Sequence, residues 1–231
     1  MPRRRLFLVV AAGVLALAAL AGCRVEPGNA AFVGSTTFSK ADLDRIVDQY
    51  KRDGGKVEAA DEVGIRGEIT RDQVFVEVAA RYAREQKFGD PTIDFEQYAQ
   101  QSGLPANDPA LRLLATVEGY RTLLMGHVAP VEPTEAELHG VYDYLVSKQV
   151  NVGSYEETVP QLRQIEGFGA AIGVRRALSD AVHRYQVQVN PLYDAQFVLF
   201  TVQGQSSSIP VVTLDLAGGG PAPGVTDLPH A

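Results

Sequence analysis

"YQVQVN", residues 185–190, alternates polar and apolar side chains near the far end of a 231-residue chain, and its partner decides the fold. Such alternation marks an extended strand with one face buried. A strand cannot satisfy its own amide and carbonyl groups, so a second extended segment has to lie beside it. Two others are available: "NAAFVG" at 29–34, near the start, and "FVLFTV" at 197–202, just behind. The first and last strands are therefore expected to pair, which draws the two ends of the fold together around whatever lies between.

What lies between has helical periodicity. Ser39 precedes Lys40-Ala41-Asp42 as an N-cap, and Leu43, Ile46, Val47 and Tyr50 then fall on one face until Gly54-Gly55. Thr70-Arg71-Asp72-Gln73 has the spacing of a capping box and predicts a second helix with Phe75, Val78, Ala79 and Tyr82 inward, ended by Gly89-Asp90-Pro91. A short helix over Asp94–Gln101 follows and closes at Gly103. Asp108-Pro109 opens a longer one with Leu113, Val117, Tyr120 and Leu124 in a row, stopping by Pro130. Thr134-Glu135-Ala136-Glu137 is another capping box, ahead of Leu138, Val141, Tyr142 and Leu145. A last helix is expected from Tyr155 or Pro160 to about Tyr185, kinked near its glycines. The fold class expected is mainly α: a helical bundle closed by a small sheet that pairs the N-terminal and C-terminal strands.

That last helix carries Gly167-Phe168-Gly169-Ala170-Ala171-Ile172-Gly173. Each glycine costs about 0.8–1 kcal/mol against alanine in a helix, and close approach of another backbone is the simplest compensation. A dinucleotide fingerprint would need a strand directly before the glycines, and the charged "QLRQIE" stands there instead, so no small-molecule cofactor is expected.

The N-terminal residues 1–22 read as an export signal, with Arg3, Arg4 and Arg5 ahead of a run of apolar and small residues. Leu20-Ala21-Gly22-Cys23 resembles the lipobox of bacterial lipoproteins, and Cys23 is the only cysteine of the chain. The resemblance implies cleavage between Gly22 and Cys23 and acylation of the Cys23 thiol. Two or three acyl chains give stable anchoring at about 0.8 kcal/mol per buried methylene. The alternative is an ordinary cut after Ala21, which leaves a stray thiol. Arg4-Arg5-Leu6-Phe7-Leu8 also resembles a twin-arginine export signal. Residues 23–28 are read as the lipid tether, 29–202 as the core, and 203–231, rich in Ser, Gly and Pro, as a tail with too little apolar surface to offset its ordering.

Net charge is −7 over the whole chain, and removal of the three arginines leaves 18 basic against 28 acidic residues, or −10. That balance disfavours nucleic acid as a partner. His127, His139, His183 and His230 lack the paired spacing of a metal site. The carboxylates Glu135, Glu137, Glu156 and Glu157 fall at helix starts, where the dipole accounts for them. Neither a metal centre nor catalysis is expected. Tyr50, Tyr82, Tyr98, Tyr120 and Tyr142 are expected to pack in the core.

The order of these segments resembles the N-terminal chaperone core of SurA and its relatives, including the PrsA-like foldase lipoproteins, over nearly all of residues 29–202. Ala31 to Leu43 is similar to that family's opening strand, turn and first helix, with Phe-Val-Gly where the family has Val-Asn-Gly. Glu132 to Glu137 and Tyr142 resemble the helix start that precedes the family's isomerase module, and Ser154 to Glu157 resembles the start of its final helix. Gln188 to Asp194 resembles the closing Val-Asn-Pro-Arg-Tyr-Gly, with Leu192 in place of the arginine and Asp194 in place of the glycine. Only Ser147 to Val159 bridge the place where the isomerase module would lie, and it cannot fit there.

The resemblance implies a lipid-anchored holdase on the extracytoplasmic face of the cell membrane. Its partners would be unfolded or nascent exported proteins, bound with neither isomerase activity nor ATP. Its peptide-binding residues cannot be read from the sequence. A non-catalytic structural or assembly lipoprotein subunit of a cell-envelope complex is the alternative, and an enzyme is a third reading.

Overall fold

The computed structural model describes residues 28–58, 60–204 and 208–217. The signal sequence, Gly22 and Cys23, most of the tether and the end of the chain lie outside the described residues. Within them the order is β1 (Asn29–Val33), β2 (Thr36–Ser39), α1 (Lys40–Arg52), α2 (Glu62–Gln86), α3 (Phe95–Ser102), α4 (Pro109–His127), α5 (Glu135–Ser147), α6 (Tyr155–Gln164), α7 (Phe168–Arg184), β3 (Val187–Val189), β4 (Gln196–Gln203) and β5 (Ser208–Asp215). The class is mainly α, with two small antiparallel sheets.

β1 is the middle strand of a sheet ordered β2-β1-β3. Ala31 pairs with Val189, Phe32 with Gln188 and Val33 with Val187, so the expected clasp between the two ends of the fold is present. Asn190 extends it: its amide donates to the Ala30 carbonyl at 2.8 Å and its side chain to the Asn29 carbonyl at 3.2 Å. β4 does not join this sheet. It forms a separate hairpin with β5, whose inward face packs on α7 and α2, with the Phe75 and Phe197 rings stacked at 3.7 Å.

The helix signals hold where capping and apolar period agree. Ser39 accepts from the Asp42 amide, Asp108 from those of Ala110 and Leu111, and Thr134 and Glu137 complete a reciprocal box. They fail at Thr70. The residue that resembled an N-cap is fully buried inside α2, which begins two turns earlier, and its hydroxyl donates to the Arg66 carbonyl at 2.7 Å. Ile65 and Ile69, upstream of that spot, pack with Leu43 and Val47 of α1, and this burial carries the helix across the local signal.

The single last helix expected from Tyr155 to Tyr185 is two. α6 ends at Gln164, and α7 starts after Gly167, whose φ of +84° suits a glycine and not a continuing helix. The glycines on α7 have the role expected of them. A Cβ on Gly169 would lie 3.1 Å from the Val131 carbonyl oxygen, and one on Gly173 only 2.5 Å from that of Ala129. The extended segment after α4 thus runs directly against the helix, tied by a 3.1 Å bond from the Val131 amide to the Gly169 carbonyl. Gly173→Ala forces two backbones apart and is expected to cost about 1–3 kcal/mol, the range for overpacking, in a denaturant melt. Gly64→Ala, where the added methyl meets open space, is the control.

The tail assigned to 203–231 is corrected over 208–217. β5 buries Ile209, Val211, Val212 and Leu214; Leu216, just after it, is buried too, and its amide donates to the Ala195 carbonyl at 3.0 Å. The buried positions change phase between Val211 and Val212, where the pairing with β4 is irregular. A bulge of this kind hides the strand's alternation, and it tolerates Pro210, which has no amide to donate.

Candidate functional site

α1, α2 and α4 leave a cleft of about 340 Å³ between them, within the size range of ligand pockets. Val47 and Tyr50 come from α1, Ile65 and Ile69 from α2, and Leu113 and Leu114 from α4. α4 packs on α2 chiefly through Val117, Tyr120 and Leu124, and its first turns, with Ala110, Leu113 and Leu114, reach the cleft. Leu114 lies off the buried stripe of α4 and is 60% exposed. α1 and α2 are bridged by Lys51 to Glu62 and by Arg66 to Asp44 at 2.8 Å, and packed through Leu43, Val47 and Ile69.

The polar part of the cleft is small. Lys56 enters from the loop after α1, while Glu68 and Asp72 stand one turn apart on α2. The Asp72 side chain is only 16% exposed and contacts Arg71 at 3.1 Å. Burial pushes its pKa above the usual aspartate range, outweighing the Arg71 charge, and the neighbouring Glu68 adds to the rise. The described residues lining the cleft include no Ser, Thr, Cys or His. An apolar wall with two carboxylates and an ammonium offers surface to bury and charge to direct what is buried there.

Glu137 is the best-surrounded carboxylate of the fold. One oxygen accepts from Arg175, and the other from Arg176 at 2.7 Å, the Thr134 hydroxyl at 2.9 Å and the Thr134 amide at 2.6 Å. Burial alone would raise its pKa; the bonds from Arg176 and Thr134 and the Arg175 charge more than reverse that and hold it below the ordinary glutamate range. The Thr134 bonds close the start of α5 and the two arginines tie it to α7, which is a structural assignment. Glu135 bonds the Tyr155 hydroxyl at 2.9 Å, and Glu157 caps its own helix at the Ser154 amide.

Two of the histidines have stacking partners, His127 on Phe88 and His139 on Tyr155, and His230 lies outside the described residues. Among the described residues no cluster of three or more His, Cys, Asp and Glu could hold a metal ion. Nor is any helix among them long and apolar enough to cross a membrane. Of the five tyrosines expected in the core, Tyr120 is buried and Tyr82 packs against the main cluster. Tyr50 instead lines the cleft, Tyr98 lines a second surface depression beside Pro91 and Leu123, and Tyr142 is half-buried, edge-on to Tyr155 outside the main cluster.

Cys23 and Gly22, the lipidation and cleavage residues expected from the sequence, lie outside the described residues. The cleft was not legible in the sequence, although one signal for it exists: Leu113-Leu114 puts two large aliphatics side by side on α4, and a single buried stripe has room for one of them. Comparison of the chain with family models, curated proteins and solved structures finds no match.

Proposed function

We propose that this chain is a lipid-anchored extracytoplasmic holdase that shelters extended apolar segments of unfolded or nascent exported proteins, without isomerase activity. The observation that carries the reading is the α1-α2-α4 cleft, an apolar recess where Val47, Ile65, Ile69, Leu113 and the exposed Leu114 converge on one opening. The lipobox at Leu20–Cys23 supports the anchor, and the order of segments supports the likeness to the SurA core. The α5-to-α6 connection of residues 148–154 leaves no space for an isomerase module. Binding by area, at about 25 cal/mol per Å² of apolar surface removed from water, suits tolerance of many sequences.

The test is light scattering from several unrelated denatured proteins diluted into buffer with or without this chain. The full chain is expected to delay aggregation of most of them. Leu114→Asp, which places a charge on an exposed cleft wall, is expected to lose most of the effect with an unchanged melting temperature. Absence of any delay, with co-purification of one envelope protein in stoichiometric amount, would favour the structural-subunit reading instead.

Asp72 gives the cleft a pH dependence. Its raised pKa means that it becomes neutral at a higher pH than an ordinary aspartate, and a neutral floor accepts apolar segments better. Protection is therefore expected to strengthen as pH falls from neutral toward that raised value. Asp72→Asn should show stronger protection than the unaltered chain at neutral pH and a shallower profile, Glu68 remaining in the cleft.

A further inference from the structure

The described chain starts beside one turn. Asn190 is hydrogen-bonded to both Asn29 and Ala30, and the turn it starts is closed by its own groups: its side-chain oxygen accepts the Leu192 amide at 3.1 Å and its carbonyl the Tyr193 amide at 2.9 Å. Tyr193 is packed against the Leu43 and Ile69 cluster, which fixes the turn from beneath. At its tip, Leu192 is 71% exposed, the highest value among the exposed large hydrophobics of the described residues. A single exposed leucine needs no explanation in itself. Its position does, because the six residues from Cys23 to Asn29 can span at most roughly 20 Å. Any lipid on Cys23 brings this turn to within that distance of the bilayer surface.

We infer that the Asn190–Asp194 turn faces the bilayer and that Leu192 enters the interface beside the acylated N-terminus, so that the protein sits on the membrane in one orientation. The inference rests on the lipid-anchor reading. The opposite end of α1, where Lys51 holds Glu62, lies about 20 Å further along the helix axis, and Tyr50 and Lys56 of the cleft stand near that end. The ionic side chains around the turn are of mixed sign: Lys40, whose amide bonds the Gly28 carbonyl, with Asp44 and Arg66 beside Tyr193, and Asp194. The partner is accordingly the apolar interface of the bilayer and not an anionic headgroup.

The chain has no tryptophan, so Leu192→Trp supplies a single reporter. The full processed protein carrying it is reconstituted on dioleoylphosphatidylcholine vesicles, and acylation is checked by mass and flotation. Blue-shifted emission, quenched by lipids brominated near the headgroup end of the acyl chains, is the expected result. Val63→Trp, at an equally exposed site next to Glu62, should remain red-shifted and unquenched. Replacing part of the lipid with phosphatidylglycerol should change neither. Acylated, floating protein with an unquenched reporter at 192 overturns the inference and leaves the anchor standing. Quenching only with anionic lipid overturns it in favour of charge steering. Absence of acylation and flotation removes the anchor, and the inference with it.

Discussion

Ending the chain after Val202 is expected to abolish the fold. The cut removes all of β5, and with it Ile209, Val211, Val212, Leu214 and Leu216, each buried to within a few per cent. Burying a side chain of this size contributes about 1.5–3 kcal/mol, so five of them are comparable with the entire ~5–15 kcal/mol stability of a domain. What remains of β4, from Gln196 to Val202, would lose every ladder partner. Circular dichroism should show a chain without a cooperative melt. A chain ending after Ala217 keeps the strand, so the comparison of the two isolates what β5 contributes. A truncation at Val202 that melts within a few degrees of the full chain would refute the hairpin.

Glu137→Ala is the substitution with the largest expected effect. It leaves Arg175, whose side chain is 10% exposed, without its carboxylate in the interior between α5 and α7, and at the same time opens the Thr134 cap. Breaking a buried pair from one side costs about 3–5 kcal/mol. Glu137→Gln keeps the shape and some of the hydrogen bonds and should cost less. The pH dependence has a definite sign. The folded pKa lies below the ordinary glutamate value of about 4.3, so the stabilisation is fully present above that value and is lost as pH falls through the folded one. The gap in stability between the wild-type chain and Glu137→Gln should thus be widest near neutral pH and close in acid. A gap that stays constant from neutral pH into strong acid would show that Glu137 is not held as a carboxylate by its two arginines.

The comparison of α2 with α5 explains which local signals can be trusted. At Thr134 the capping residue follows Pro133 and an extended segment, so the box has a real end to cap. At Thr70 the same spacing sits in a segment already held helical by Ile65 and Ile69 against α1, and tertiary burial overrides it. The hairpin is the opposite failure. Composition averaged over residues 203–231 is dominated by Gly, Pro and Ser, which dilutes five aliphatics whose alternation is broken by a bulge.

By itself the sequence determined the mainly helical class, most helix starts, the pairing of the first strand with residues 187–189, and the backbone contact that Gly169 and Gly173 make possible. These follow from signals carried by residues a few positions apart, or from the requirement that a lone strand find a partner. Only the tertiary structure decided that β4 pairs with β5, that the last helix breaks at Gly167, that a cleft stays open between α1, α2 and α4, and that Leu192 stands beside the start of the fold. Each of these depends on which faces of distant elements meet, and the free energy of that meeting belongs to the packed arrangement of the whole chain.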